Sequence, residues 1–594
     1  MSFTNQLENF SLQFLKWSRF LFALAILIPL LSCTGTQSED LAPASHPPPT
    51  PSPTTAPTKT PLPTPRVADP VRTDSPLILG KRDQEKLTGQ PGGTLTIASS
   101  ADIDNFDVHR THQKTLSTLG PGLVYSRLLR VQTGPRISQP SLILECDLCL
   151  SWKLNSDFSY EFLLPSNIHW QNIHPLNGRR MVASDLAYSY NRMETESWPY
   201  STLFKDRGIS KFLTESPTSL KIKRAFLDTD VLLALADGRS KIVAPEAVKM
   251  YGDLSQGPVI GTGPWIWEST EHGIGTKLSR NPDYFEAGLP YLDNLFIKTI
   301  KPTFDPYVNR TQQIAAFKTG LVDVIRVSSL GWNTLQSSTV EFNSYKSDSN
   351  SPNILLWFNT RTDLGSNRRI RQATFYSLDP WESLHSIWKD LGSVNVGLPV
   401  SNPDWLLPKN SMRQKYFANP SEARKKLKNH NDNQPLNIAI ADSSKEMLEY
   451  AKEIKEALTR SGFNPTIRLI HPSHNIQILT KGDDEFDLII GQIPYIPSPN
   501  GFLLAFIHSD GPANILRHAD KKLDRMIEGQ IAEGNPITRK EKLLELQQYL
   551  LEEAYLYSPV SDITGWAFNW NLQDFYPNTA LSESIFWTKV WLKS

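Results

Sequence analysis

"LNIAIADSSKEMLEYAKEIKEALTRSGFNPTIRLI" (436–470) reads as strand, helix, strand. LNIAI (436–440) is a short β-forming run. Beyond it Met447, Ala451, Ile454 and Leu458 recur at i, i+4, i+7 and i+11, the spacing of one helix face. Ser443 and Glu446 are placed for a capping box, Gly462 closes the helix, and PTIRLI (465–470) resumes a strand. Two strands joined through one helix by short links imply parallel pairing. The chain is therefore expected to be α/β with a mostly parallel sheet.

Towards the C-terminus, a strand-like run from Phe486 to Ile490 feeds GQIPYIPSPNGFLLAF (491–506), which carries no charge. From Leu488 to Ser509 there is no Asp, Glu, Lys or Arg. Three prolines and two glycines read as a loop, and loops at strand ends are where ligands are commonly held. A long helix is expected over about 537–554. Towards the N-terminus, GGTLTIASS (92–100) reads as a first strand, followed by the polar loop ADIDNFDVHR (101–110) and the more helical TLSTLGPGLVYSRLLRV (115–131). LCLSWKL (148–154) and YEFLLP (160–165) flank a turn at Asn155–Asp157, and ASDLAYSYNRM (183–193) reads as a helix with Ser184 as N-cap.

The 594 residues predict two or three domains. With 61 basic and 61 acidic residues the chain offers no electrostatic reason to bind nucleic acid. At the N-terminus Lys16 and Arg19 precede an uncharged apolar run, Phe20 to Leu31, too short to span a bilayer and suited to a secretory signal. It ends in Leu30-Leu31-Ser32-Cys33, which resembles the lipobox of bacterial lipoproteins. That resemblance implies a signal peptide over 1–32 and acylation of Cys33, which would tie the protein to the lipid bilayer. Residues 41–70 hold eleven prolines and six threonines, so 33–90 is read as an extended tether.

From Gly92 to about residue 575 the chain resembles the large dipeptide/oligopeptide-binding family of extracytoplasmic solute-binding proteins of ABC importers (family 5). The pieces that match, in order, are GGTLTIASSADIDNFDVH (92–109), the signature spanning SWKLNSDFSYEFLLPSNIHWQN (151–172) and NGRRMVASDLAYSYNR (177–192), GTGPWIWES (261–269), RNPDYFEAGLPYLDNL (280–295), AAFKTGLVDV (315–324) and LLWFNTRTDLGSNRRIRQATFYSLD (355–379). The resemblance implies a two-lobed periplasmic-binding-protein-like fold of type II, in its large variant. Lobe 1 would comprise 91–135, 260–348 and 560–594, with an inserted subdomain at 136–259, and lobe 2 would comprise 349–559. The chain would cross a hinge twice, near 345–352 and 555–562, and the lobes would close on a small or peptide-like ligand. ABC permease subunits would be the partner, the protein acting as a monomer outside the cytoplasm. A sensor or adaptor of the same fold is the alternative.

Peptide binders of the family anchor the ligand α-amine with an aspartate in a pattern close to Gly-Trp-x-x-Asp-x-x-Asp-Pro. Here the stretch begins at Gly491, the Trp position is Gln492, the amine-binding position is Tyr495 and the second Asp position is Ser498. A charge-assisted hydrogen bond of about 1.5–3 kcal/mol is missing there unless an acid elsewhere, such as Asp510, serves. Further ligand-binding candidates by family position are Asn105, Phe106, Tyr125, Trp357 and Asn359, with Trp265 and Trp267; for each aromatic the competing role is core packing. Cys146 and Cys149 form C-x-x-C, leaving a disulfide or free thiols open, because a turn would bring them within bonding range and an extended strand would not. His169 and His174 lie too far along for the usual zinc-finger spacing, so no metal is expected. G-x-S-x-G, H-E-x-x-H and P-loop motifs are lacking, and Ser386-Ile387-Trp388-Lys389 is a chance S-x-x-K. Neither an enzyme nor a cofactor is anticipated.

Overall fold

The computed structural model describes residues 78–81 and 89–594, apart from 112–113, 138–140, 196–197, 199–202, 227, 302–310, 328, 349–353, 400–404, 429–433, 444, 494–497, 512, 562 and 579. Cys33, residues 1–32 read as a signal peptide and most of the stretch read as a tether lie outside the described residues, as does Tyr495.

A seven-stranded sheet carries lobe 1. Its strands run, in order, Asn343–Asp348, Ile563–Phe568, Val324–Val327, Thr94–Ser99, Asn294–Thr299, Gly275–Arg280 and Trp265–Glu271. The central Thr94–Ser99 pairs parallel with both neighbours, and its Leu95 and Ile97 are fully buried. A six-stranded sheet carries lobe 2, in the order Ser393–Asn395, Leu556–Ser561, Ile354–Phe358, Leu488–Gln492, Pro435–Ala441 and Asn464–Ile470. As the sequence implies, Pro435–Ala441 pairs parallel with Asn464–Ile470, and helix Lys445–Arg460 connects them with Met447, Ala451, Ile454 and Leu458 buried. The expected mostly parallel sheet is not found: the three pairings that join Leu488–Gln492, Ile354–Phe358, Leu556–Ser561 and Ser393–Asn395 are antiparallel, because the chain enters and leaves this lobe through strands rather than through further strand–helix–strand units. The capping box is not formed among the described residues, where Ser443 Oγ is buried without a hydrogen-bond partner.

The chain leaves the first sheet after Asp348 and enters the second at Ile354. It returns between Ser561 and Ile563. Both connections therefore run strand to strand.

A third, five-stranded antiparallel sheet holds the hairpin strands Ser151–Leu154 and Tyr160–Leu163 with Ser219–Arg224 and Ile209–Ser216. It also recruits Ile78–Lys81, which pairs with Ser151–Leu154, so the stretch 33–90 read as an extended tether contains a strand of this sheet. Helix Ala183–Met193 starts two residues earlier than Ser184 would allow as a cap. Its N-cap is Val182, whose N–H donates to Asp185 Oδ2 at 3.0 Å. Asp185 also accepts from Trp170 Nε1 (3.2 Å) and both guanidinium nitrogens of Arg179 (2.9 Å each), so the Trp–Asp signature is a structural clamp. Gly261 and Gly263 press against lobe 1 backbone, where a Cβ would sit 2.1 and 2.5 Å from Val124 O.

Candidate ligand-binding cleft

The uncharged run in lobe 2 is only partly loop. Ser498 caps a helical turn, Pro499–Phe502, by accepting from Gly501 N at 3.2 Å, and Leu503–Ile507 continues as a π-helical turn. Phe502 and Phe506 stack at 5.7 Å inside the lobe 2 core. The absence of charge there follows from burial, because an ion in this position would lose its hydration.

This segment meets the other lobe. Asn500, fully buried, donates from its backbone N–H to Asp230 Oδ2 (3.2 Å) and from Nδ2 to Asp228 Oδ1 (2.7 Å). Asn500 Oδ1 accepts from Gln530 Nε2 (2.9 Å) and Arg539 Nη2 (3.0 Å). Arg539 pairs with Asp230 at 2.7 Å, and Arg207 bridges Asp228 (3.3 Å) and Ser498 Oγ (3.5 Å). The Trp405 ring packs on the hydrophobic cores of both lobes, beneath the Arg539 guanidinium at 5.5 Å. Sequence reasoning missed Asp228, Asp230, Asn500 and Arg539. The available signal was Asn500, the one amide beyond Ser498 in an otherwise apolar segment.

Two joined sheets with facing lobes agree with the comparison by sequence: residues 144–514 match the model of the bacterial extracellular solute-binding proteins, family 5. The chain belongs to that family. It is 22% identical over 351 residues to a candidate binding protein of Brucella suis, covering 55% of this chain and 54% of that one, so it spans about half that relative's length. A candidate binding protein of Brucella abortus matches at 22% over 480 residues, 71% of this chain and 76% of the relative. Among solved structures, HbpA2 of Haemophilus parasuis superposes with TM-score 0.72 at 18% identity, covering 84% of this chain and all of that one. The ABC transporter substrate-binding protein CtaP of Listeria monocytogenes gives 0.69 at 16%, covering 85% and 100%. NikA of Brucella suis in complex with Fe(III)-EDTA gives 0.66 at 18%, covering 84% and 100%.

Within this family 5 fold the candidate residues separate. Trp357 is not a cleft residue: it and Leu355 enter one lobe 2 core while Leu356 and Phe358 enter the other, because strand Ile354–Phe358 is covered on both faces. Asn359 is likewise buried, donating to Asp483 O (3.1 Å) and Asp484 Oδ1 (3.2 Å) to hold a turn. Tyr125 lies in the lobe 1 core, and burial pushes its phenol far above the ordinary range. Trp265 is buried too. Asn105 Oδ1 accepts from Asp107 N (2.8 Å), shaping the first loop, while half-buried Phe106 contacts Trp267 at 5.3 Å. Gln492 is half-buried at the end of its strand. Its carbonyl accepts from Asn475 Nδ2 (2.7 Å), and its side-chain Oε1 is buried with no hydrogen-bond partner among the described residues. Asp510 is exposed beyond the helical segment. Cys146 and Cys149 form a disulfide across a turn, with Cα atoms 4.9 Å apart.

Beneath the first loop lies a buried ionic network. Arg192 clamps Asp107 with both guanidinium nitrogens and donates to His109 Nδ1 (2.9 Å), while His109 Nε2 donates to Lys241 O (2.8 Å). Burial, reinforced by the Arg192 charge, lowers the imidazole to about 4. Burial and the nearby Arg127 bring the Lys241 ammonium down to about 7. These groups are buried, and the hydrogen bonds named here tie them to one another within lobe 1.

Proposed function

We propose that the protein is a lipid-anchored receptor that captures a solute between its lobes and delivers it to an ABC permease, and that its ligand is not a peptide held by a free α-amine. The observation that carries this reading is the chemistry of the lobe 2 segment at Leu488–Ser509, which has no carboxylate to receive an ammonium. Its buried helical part is committed to core packing and to lobe 1. What remains for a ligand is neutral: Gln492, whose acceptor oxygen has no hydrogen-bond partner among the described residues, and Tyr495 at the position of the amine-binding carboxylate. A phenol and an amide suit an aromatic or hydroxylated neutral solute. The fold itself leaves the ligand open, and NikA of Brucella suis, which shares it, was solved with Fe(III)-EDTA. Binding would be differential affinity of the solute for closed over open lobes.

Calorimetric titration with di- and tripeptides tests the ligand class. No heat of binding is expected at micromolar concentrations, and micromolar binding of free peptides would overturn the reading. Solute released on denaturing natively purified protein, identified by mass spectrometry, would supply the ligand. Cys33→Ser is expected to move the protein from the membrane to the soluble fraction.

A further inference from the structure

We propose that Asp230, Arg539 and Asn500 form a latch that sets the ratio of closed to open lobes without touching the ligand. Three lobe 2 elements converge on one short lobe 1 segment: Asn500 on the Pro499 turn, Gln530 on helix Lys521–Ile531 and Arg539 on helix Pro536–Glu552 all meet Asp228–Asp230 or one another. Each of the five residues is at most 8% exposed. Lobe 1 preorganises its side, since Asp228 Oδ1 accepts the Asp230 N–H at 2.7 Å and Arg207 holds the other Asp228 oxygen.

The contact differs from ordinary core polarity because its members belong to separate lobes. Opening the lobes returns the carboxylates and the guanidinium to water. Closing removes them from water and pairs them. A buried pair and its hydrophobic replacement are often close in free energy, but a buried charge stripped of its partner is strongly unfavourable. Removing one partner therefore penalises the closed form alone, while removing both lifts most of that penalty. Trp405, seated against both cores, provides the apolar floor that excludes water from the pair.

Pulsed electron–electron resonance reads the lobe separation directly. Spin labels at K211C and K521C, both exposed positions on opposite lobes, would be placed in the full-length C33S protein, in which Cys146 and Cys149 are bonded to each other. R539M is expected to raise the ratio of open to closed by at least about tenfold, and D230N/R539M to bring it back most of the way. N500A, which changes no charge, is expected to shift the ratio in the same direction and less. Distance distributions of R539M and N500A that superpose on that of the unsubstituted protein would overturn the latch. So would a double variant as open as R539M. The measurement uses no ligand, so its outcome stands apart from whether peptides bind.

Discussion

Arg127 and Glu583 are separated by 456 residues in sequence and by 2.5 Å in space, with both side chains buried. The carboxylate also accepts the N–H groups of Val131 (3.0 Å), Ser584 (2.7 Å) and Ile585 (2.8 Å), and Arg127 donates to Ala236 O (2.9 Å). This is how the C-terminal segment is fastened to lobe 1. Glu583→Ala strips buried Arg127 of its hydrogen-bonded carboxylate, leaving the charges of Asp147 and Asp237 nearby, and is expected to cost about 3 kcal/mol in denaturant unfolding of lobe 1. Burial pushes the Glu583 carboxyl up, but Arg127 and the backbone donors of Ile585 and Ser584 outweigh it and hold the group below its ordinary value. A folded pKa below the unfolded one gives stability that is present above about pH 4.3 and disappears as pH falls through the folded value. Glu583→Gln is expected to remove that acid-side loss, read from urea midpoints below pH 4.5.

His109 acts in a different window. Its ring is lowered to about 4, so between roughly pH 6.5 and 4 the unfolded chain takes up a proton that the folded chain refuses. Stability should fall across that interval by about 1.4 kcal/mol per pH unit for this one group. His109→Gln can still accept from Arg192 and donate to Lys241 O, and it does not titrate. Its stability is expected to stay flat between pH 6.5 and 4.5 on this account, as followed by urea denaturation at each pH.

The disulfide closes a very short ring. Loop-closure entropy for four residues contributes about 2 kcal/mol. Cys146→Ser/Cys149→Ser should lower the stability of lobe 1 by that order and leave lobe 2 unchanged, as separated by hydrogen exchange resolved to peptides. Alkylation of the native protein under denaturing, non-reducing conditions should modify neither cysteine.

Gly261→Ala would drive a methyl group into Val124 O, a backbone atom that cannot rotate away. Destabilisation of about 3 kcal/mol or more is expected, with the larger effect at 261 than at 263, where the approach is 2.5 Å rather than 2.1 Å. Thermal unfolding of the two variants side by side checks the order.

The regions legible in sequence are those decided by neighbours in the chain. The βαβ unit at 435–470 was readable because one helix face is buried and the period repeats over sixteen residues. Trp357 takes the core-packing alternative, and the uninterrupted apolar run ILLWF is the sequence signal for it, since such a run marks a strand covered on both faces. The prolines around Ser498 predict a loop, because they suggest breakage. Pro499 instead occupies the first turn of a helix, where its missing N–H costs nothing and its fixed φ is helical.

By itself, then, the sequence determined the α/β class, the strand–helix–strand unit of lobe 2, the lipobox-like start and the neutrality of the lobe 2 segment. Each of these depends on composition or on contacts a few residues apart. Only the tertiary structure decided what that segment does. Asn500 and Asp230 are 270 positions apart, and nothing local to either predicts the other. Their pairing exists because two hinge crossings bring two separately formed sheets face to face. A buried polar group on one lobe then has no water left and must find its partner on the other.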